Sequence, residues 1–284
     1  MPMSLVEDAP GDPRNAAFLA AACQFAYLPA EEGARSFREE LGLEATFASA
    51  GNTQAYLAHN DDHVVVAFRG SEGPNSIDGL KDWLLTNALN LLIQPQGELA
   101  TDFAAAGVGA RFHQGFVSAI TDIWPQLYPA VDGELKRKDR PLWVTGHSLG
   151  GALAVLAAWL FKRKFLNVHQ VVTFGAPMVG NKDVAEAIGR EFPGKVFRYV
   201  NSPDPVPLLP MMSLVSTEYM HCDTLVGLGD GAGAANLLVY LKDAAGGVAE
   251  GLLSGEVREK VWGAIKGKLA AHFLDDYRGL ITPG

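Results

Sequence analysis

The sequence predicts an α/β protein in which a mostly parallel central sheet is covered by helices on both faces. Short, mainly apolar runs such as His63-Val64-Val65-Val66-Ala67-Phe68, Val171-Val172-Thr173-Phe174 and Val196-Phe197-Arg198-Tyr199-Val200 read as strands buried on both sides. Helical stretches separate the central strands, and that alternation points to a parallel or mixed sheet between two helical layers. The 284 residues, 48% apolar and 19% charged, suffice for one large domain with a substantial core. No internal repeat and no linker divides the chain.

In chain order, residues 15–27 are alanine-rich with helical periodicity, and residues 31–41 are a second helical stretch. Residues 55–59 read as a strand, Asn60-Asp61-Asp62 as a turn and 63–68 as the first buried strand. A polar loop covers 73–79, and 80–93 is apolar without a decisive period. Residues 114–135 read as a long helix that Pro125 and Pro129 should interrupt or kink, because an interior proline removes a hydrogen bond and clashes with the preceding turn. Residues 141–145 form a short strand and 151–160 a buried helix, ending in Lys162, Arg163 and Lys164, which suit the negative end of the helix dipole. Asp183 stands where it would cap a helix starting near Val184. Beyond Pro210 the pattern changes: 227–233 is glycine-rich, and 234–244 and 256–273 look like amphipathic helices. Gly229-Asp230-Gly231-Ala232-Gly233 follows no strand of a βαβ unit and reads as a connection, not a nucleotide loop.

Bulk properties narrow the partners. A formal charge of −9 argues against nucleic acid, which requires a basic face. Cys23 and Cys222 define neither a disulfide framework nor a metal site and read as free, buried thiols. The acidic start from Met1 to Asp8 lacks the basic region and apolar run of a signal peptide. No apolar run reaches the ~18 residues that span a bilayer. The default expectation is therefore cytoplasmic, with secretion by another route left open. No metal and no cofactor is implied.

Chemistry concentrates at Gly146-His147-Ser148-Leu149-Gly150-Gly151. A strand, a G-x-S-x-G turn and a helix form a nucleophile elbow, which exposes the serine hydroxyl to a base. Ser148 is the nucleophile candidate. The backbone N–H of Leu149, at the helix N-terminus, is one candidate donor to an oxyanion, and the other should come from the turn after Phe68. In sheet-based hydrolases the carboxylate and then the histidine follow the serine. Asp204, just past the strand ending at Val200 and held between Pro203 and Pro205, is the best carboxylate, with Asp183 the alternative. His221 and His272 both follow it, and the residues alone leave the base open between them. His147, inside the elbow, is assigned to packing, and His59, His63, His113 and His169 to surface or core.

Seven motifs occur in a fixed order: Val66-Ala67-Phe68-Arg69-Gly70-Ser71, Asp82-Trp83-Leu84, His113-Gln114-Gly115-Phe116, the elbow, Thr173-Phe174-Gly175-Ala176-Pro177, Asn201-Ser202-Pro203-Asp204-Pro205-Val206-Pro207 and His272-x-x-x-x-Tyr277. In this combination the chain resembles the class 3 lipases, fungal triacylglycerol lipases and many bacterial esterases, and is placed on their bacterial branch. The resemblance covers most of residues 14–282. It implies an α/β-hydrolase fold in one domain over 1–284, and a serine hydrolase that cleaves carboxylic esters of acylglycerols or similar lipids through an acyl-enzyme. It implies Ser148, Asp204 and His272 as the triad, Ser71 beside Leu149 in the oxyanion hole, and His221 as a supporting histidine, with His147 a further supporting candidate. In similar lipases the segment after the oxyanion turn carries a lid, here 73–85, where Trp83 and Leu84 would cover an apolar groove. The run through Val206, Leu208 and Leu209 is another candidate wall. Met178 stands where a basic residue is common, and 225–268, expected as a helical insertion, has no counterpart. The expected partner is an ester or lipid substrate, met at a lipid–water interface. The alternatives are a phospholipase, a short-chain or aryl esterase, and a lipase-like scaffold without turnover.

Overall fold

Eleven strands define the sheets of the computed structural model, which describes residues 3–71, 92–208, 219–229 and 266–281. They are β1 (Glu44–Ala50), β2 (Thr53–His59), β3 (Val64–Phe68), β4 (Leu92–Ile93), β5 (Phe112–His113), β6 (Leu142–His147), β7 (Val168–Phe174), β8 (Gly180–Asn181), β9 (Val196–Asn201), β10 (Tyr219–Met220) and β11 (Thr224–Leu228). The main sheet has the order β1-β2-β3-β6-β7-β9-β11. Its first three strands pair antiparallel, and every pairing from β3 to β11 is parallel. The four described two-residue strands make a small second sheet in the order β10-β8-β5-β4.

The central strands of the sheet are buried on both faces, so each face must pack against helices. Along β3, Val64, Val66 and Phe68 join one core, and Val65 and Ala67 join the other. The first core holds the buried sides of the helices Gln114–Arg137, Leu149–Arg163 and Lys182–Glu191. The second holds those of Pro13–Phe25, Ala30–Leu41 and Leu274–Leu280. The α/β-hydrolase architecture expected from the sequence is therefore the one observed. Cys23 and Cys222 are free and buried, and burial pushes the Cys23 thiol up to about 12.

Several local expectations are corrected. The helix Gln114–Arg137 runs unbroken through Pro125 and Pro129. Both prolines are exposed, while Ile120, Ile123, Trp124 and Leu127 keep the opposite side buried. The helix Lys182–Glu191 is capped by Asn181, whose side chain accepts from the Val184 N–H, and Asp183 is an exposed first-turn residue. Strand β1 was not foreseen: only Ala48 of its seven residues is buried, so it lacks an apolar signal. The supposed helical insertion over 225–268 opens as a strand, because Thr224–Leu228 pairs in parallel with β9. Its last residues begin the 3-10 turn Lys266–His272, not an α-helix. The proposed lid at 73–85, with Trp83 and Leu84, lies outside the described residues, as do Leu209, the helix expected over 234–244 and the rest of the insertion.

Phe68 of β3 lies opposite Gly146 of β6, which brings the turn after β3 alongside the elbow. Backbone crowding there excludes side chains. A β-carbon on Gly146 would strike the carbonyl of Gly150, and one on Gly150 would strike the Phe68 carbonyl and lie 2.8 Å from the Arg69 carbonyl carbon. Gly150→Ala is therefore expected to lower stability by about 1–3 kcal/mol or more. Gly189→Ala, in a helix with nothing within 4 Å of the added carbon, should raise it by about 0.4–1 kcal/mol. Urea denaturation of the two variants checks the contrast, and equal effects would contradict the crowding.

Candidate active site

The candidate groups converge at the C-terminal ends of parallel strands, where α/β sheets place their sites. Ser148 stands between β6 and the helix Leu149–Arg163 with φ 57° and ψ −131°. A left-handed serine is strained, and the surrounding backbone holds it. Its N–H donates to the Phe174 carbonyl at 2.9 Å, and its own carbonyl accepts from the Gly151 N–H at 2.9 Å. The side of the turn after β3 is just as close: a β-carbon on Gly70 would sit 3.1 Å from that of Ser148. One residue on, the Ser71 hydroxyl is buried with no hydrogen-bond partner among the described residues. Leu149 is the first residue of its helix, where backbone N–H groups have no intrahelical acceptor.

Asp204 follows β9 in a turn and is buried. Its Oδ1 accepts from the Val206 N–H at 2.9 Å. Its Oδ2 accepts from His272 Nδ1 at 2.8 Å and from the Tyr277 hydroxyl at 2.6 Å. An ionised carboxylate only accepts, so Nδ1 carries the imidazole proton and Nε2 keeps its lone pair. Nε2 is buried and has no partner among the described residues. Gly175, next after the Phe174 that binds the Ser148 amide, packs on this pair: a β-carbon there would lie 2.8 Å from Asp204 Oδ2 and 3.0 Å from His272. Burial and the neighbouring Asp204 carboxylate hold the Tyr277 hydroxyl well above the usual phenol range, so it stays a donor. Asn201 fastens the last segment by donating from Nδ2 to the Ala271 carbonyl at 2.9 Å.

His272, not His221, pairs with Asp204. His221 donates through Nε2 to the carbonyl of Pro207, in the 3-10 turn after Asp204, which is a supporting position. Burial and the Arg198 guanidinium push it down to about 3. The packing assignment for His147 was too modest. Its Nε2 bonds the His272 carbonyl at 2.8 Å and its Nδ1 meets the Tyr27 hydroxyl at 2.8 Å. Burial, with His272 beside it, keeps its pKa well below the ordinary histidine value. Tyr27 and Tyr277 were missed as site residues; the spacing of Tyr277 from His272 in the last motif was the available signal, and Tyr27 had none. Val206 is fully buried beside Asp204, and Leu208 is partly exposed. Among the described residues, no cluster of His, Cys, Asp and Glu is suited to a metal ion.

Burial lowers the pKa of four histidines, His63, His147, His169 and His221, and the two at the site, His147 and His221, make stability depend on pH. Above about 6.5 both are neutral in the folded and unfolded chain. Below it the unfolded chain takes protons that the folded one refuses, so stability falls as pH drops, for His221 down to about 3. Each contributes up to about 1.36 kcal/mol per pH unit. The urea midpoint should therefore fall between pH 7 and 5, and less steeply in His221→Gln. A midpoint independent of pH over that range would contradict these environments.

The pattern of the family Lipase (class 3) matches residues 65–214, just over half of the chain. Phospholipase A(1) DAD1, chloroplastic, of Arabidopsis thaliana is 32% identical over 164 residues, 55% of this chain and 35% of that protein. Secreted mono- and diacylglycerol lipase A of Penicillium cyclopium is 32% identical over 174 residues, 59% of this chain and 52% of that protein. The matched stretch thus spans between a third and about half of these relatives. The Rhizomucor miehei triacylglyceride lipase shares the fold with a TM-score of 0.60 at 23% identity, over 77% of this chain and 81% of that one. The cytoplasmic expectation is corrected here: the Penicillium protein and other relatives are named as secreted lipases. Among the described residues no helix is long and apolar enough to cross a membrane. With the elbow, the Asp204–His272 pair and the order of the strands all in place, the chain belongs to the class 3 lipase family.

Proposed function

We propose that this chain is a serine hydrolase of carboxylic esters, acting on acylglycerols or similar lipids at a lipid–water interface. The observation that carries the reading is the state of His272: Nδ1 is bound to a buried carboxylate, and Nε2 is buried beside the elbow with no partner among the described residues. In the proposed reaction Nε2 takes the Ser148 proton as the serine oxygen attacks the ester carbonyl, and Asp204 stabilises the imidazolium. The Leu149 N–H and Ser71 hold the oxyanion. His272 then protonates the leaving alcohol, and water, activated by the same nitrogen, hydrolyses the acyl-enzyme. Val206 and Leu208, next to Asp204, line the path of the acyl chain. The relatives' names support the lipid substrate, since they include mono- and diacylglycerol lipases. A phospholipid is the second reading, favoured by the similarity to a phospholipase A(1).

Ser148→Ala and His272→Ala are each expected to reduce turnover by roughly 10⁴-fold or more, with the double variant little worse than either single one. Hydrolysis of a chromogenic ester, with emulsified diacylglycerol and phosphatidylcholine as competing natural substrates, checks both parts. Full activity in either variant would remove the mechanism.

Ser71→Ala keeps its backbone N–H and loses the hydroxyl. Its effect should therefore be smaller than the ~2.7–4 kcal/mol of a whole lost donor and fall on kcat more than on KM. An unchanged kcat would leave the hydroxyl without a part in the reaction.

A further inference from the structure

A line of buried hydrogen bonds joins the two halves of the site. The His272 carbonyl can only accept, so the His147 nitrogen facing it, Nε2, carries a proton. The ring is buried and neutral, which leaves Nδ1 as an acceptor for the Tyr27 hydroxyl at 2.8 Å. The phenol in turn packs against Gly70, where an added β-carbon would collide with its hydroxyl. Gly70 precedes Ser71, and its α-carbon faces the Ser148 side chain. The line therefore runs from the Gly70 backbone, in contact with Tyr27, through Tyr27 O–H to His147 Nδ1 and His147 Nε2–H to the main chain of His272. Every donor has one acceptor, and reversing any member would leave two donors or two acceptors facing each other. The rings of His147 and His272 lie 4.7 Å apart, so a shift of the first displaces the second.

We propose that Tyr27 and His147 are positioning residues that set the distance between the oxyanion turn and the base through this line of bonds. Neither touches the substrate. Tyr27 fixes the tautomer of His147, and His147 anchors the backbone that carries His272. The inference rests on the proposed ester hydrolysis, in which Ser71 and His272 act on the same reacting carbonyl. A misplacement of about 1 Å at such a site lowers the rate by up to ~10²-fold without altering how the ground state binds. The effect belongs in kcat, not in KM.

The test is a double-mutant cycle of Tyr27→Phe and His147→Phe, with His147→Gln as the conservative replacement, since a glutamine amide reaches about as far as Nε2 and offers the same N–H. Turnover of a soluble chromogenic ester is expressed per folded molecule, with folding judged by near-ultraviolet circular dichroism. Tyr27→Phe and His147→Phe should each lower kcat about ten- to a hundred-fold with KM within about twofold, and the double variant should be no worse than the poorer single one. His147→Gln should recover most of the loss seen in His147→Phe. Unchanged kcat in both single variants, losses that multiply in the double variant, or His147→Gln no better than His147→Phe would each overturn the proposal. If Tyr27→Phe does not fold, the comparison of the two His147 variants decides alone. Turnover absent from the parent enzyme, or retained in Ser148→Ala, would instead sink the reaction itself, so the two failures are distinguishable.

Discussion

A serine held in left-handed backbone at the end of β6 is the constraint on which the rest of the structure depends. Such a residue is strained by about 1–3 kcal/mol and persists only where its surroundings over-determine it. Here β3 and β7 flank β6, the Phe174 carbonyl takes the Ser148 amide, and the helix from Leu149 begins with no intervening residue. The chain reverses so tightly that Gly146 meets Gly150, and Gly150 meets the end of β3. The helix that follows is buried from Gly150 to Phe161, with small residues such as Ala152, Ala154, Ala157 and Ala158 along it. Its dipole points its positive end at the serine. The same crowding that forbids side chains at the glycines thus brings a nucleophile, a helix N-terminus and the turn carrying Ser71 within reach of one reacting group.

The second requirement is that polar groups buried around this turn be satisfied, because an unpaired one in a low-dielectric interior is costly. Asp204 uses both oxygens, Tyr277 both donates and accepts, and His147 uses both ring nitrogens. Satisfaction assigns each proton. It leaves the Nε2 lone pair of His272 and the hydroxyl of Ser71 as buried atoms without partners among the described residues. Other buried side-chain atoms, such as Trp143 Nε1 and Tyr219 Oη, also lack partners among the described residues, but these two border the elbow that carries Ser148. The proposed reaction accounts for both, one as the proton acceptor and one as a donor to the oxyanion.

The elbow was legible because its chemistry is local: the glycines, the strand before and the helix after lie within one short segment. Asp204 was legible for a similar reason, following a buried strand between two prolines. The base was not, since His272 lies 68 residues from its carboxylate, and residue types alone could not choose between it and His221. Resemblance to a family supplied that choice, and the hydrogen bond to Asp204 agrees with it. Tyr27 lay beyond reach for the same reason, 120 residues from the histidine it binds and just past an alanine-rich helix. Elsewhere tertiary context overrode local rules. Exposed Pro125 and Pro129 leave a helix intact that buries its other side, β1 forms at a sheet edge with hardly an apolar residue buried, and β11 extends the sheet where a helix was expected. Location was misjudged because the reading rested on the first few residues, whereas several relatives are named as secreted.

The central claim is that Ser148 is an activated nucleophile, and covalent capture tests it most directly. An alkyl p-nitrophenyl phosphonate transfers its phosphonyl group to an activated serine oxygen and releases p-nitrophenol. Intact mass and peptide mapping should find one phosphonyl group per chain, on Ser148, formed far more slowly in His272→Ala. An unmodified chain, an adduct on another residue such as Ser71, or equal labelling rates in the parent and His272→Ala would contradict the account.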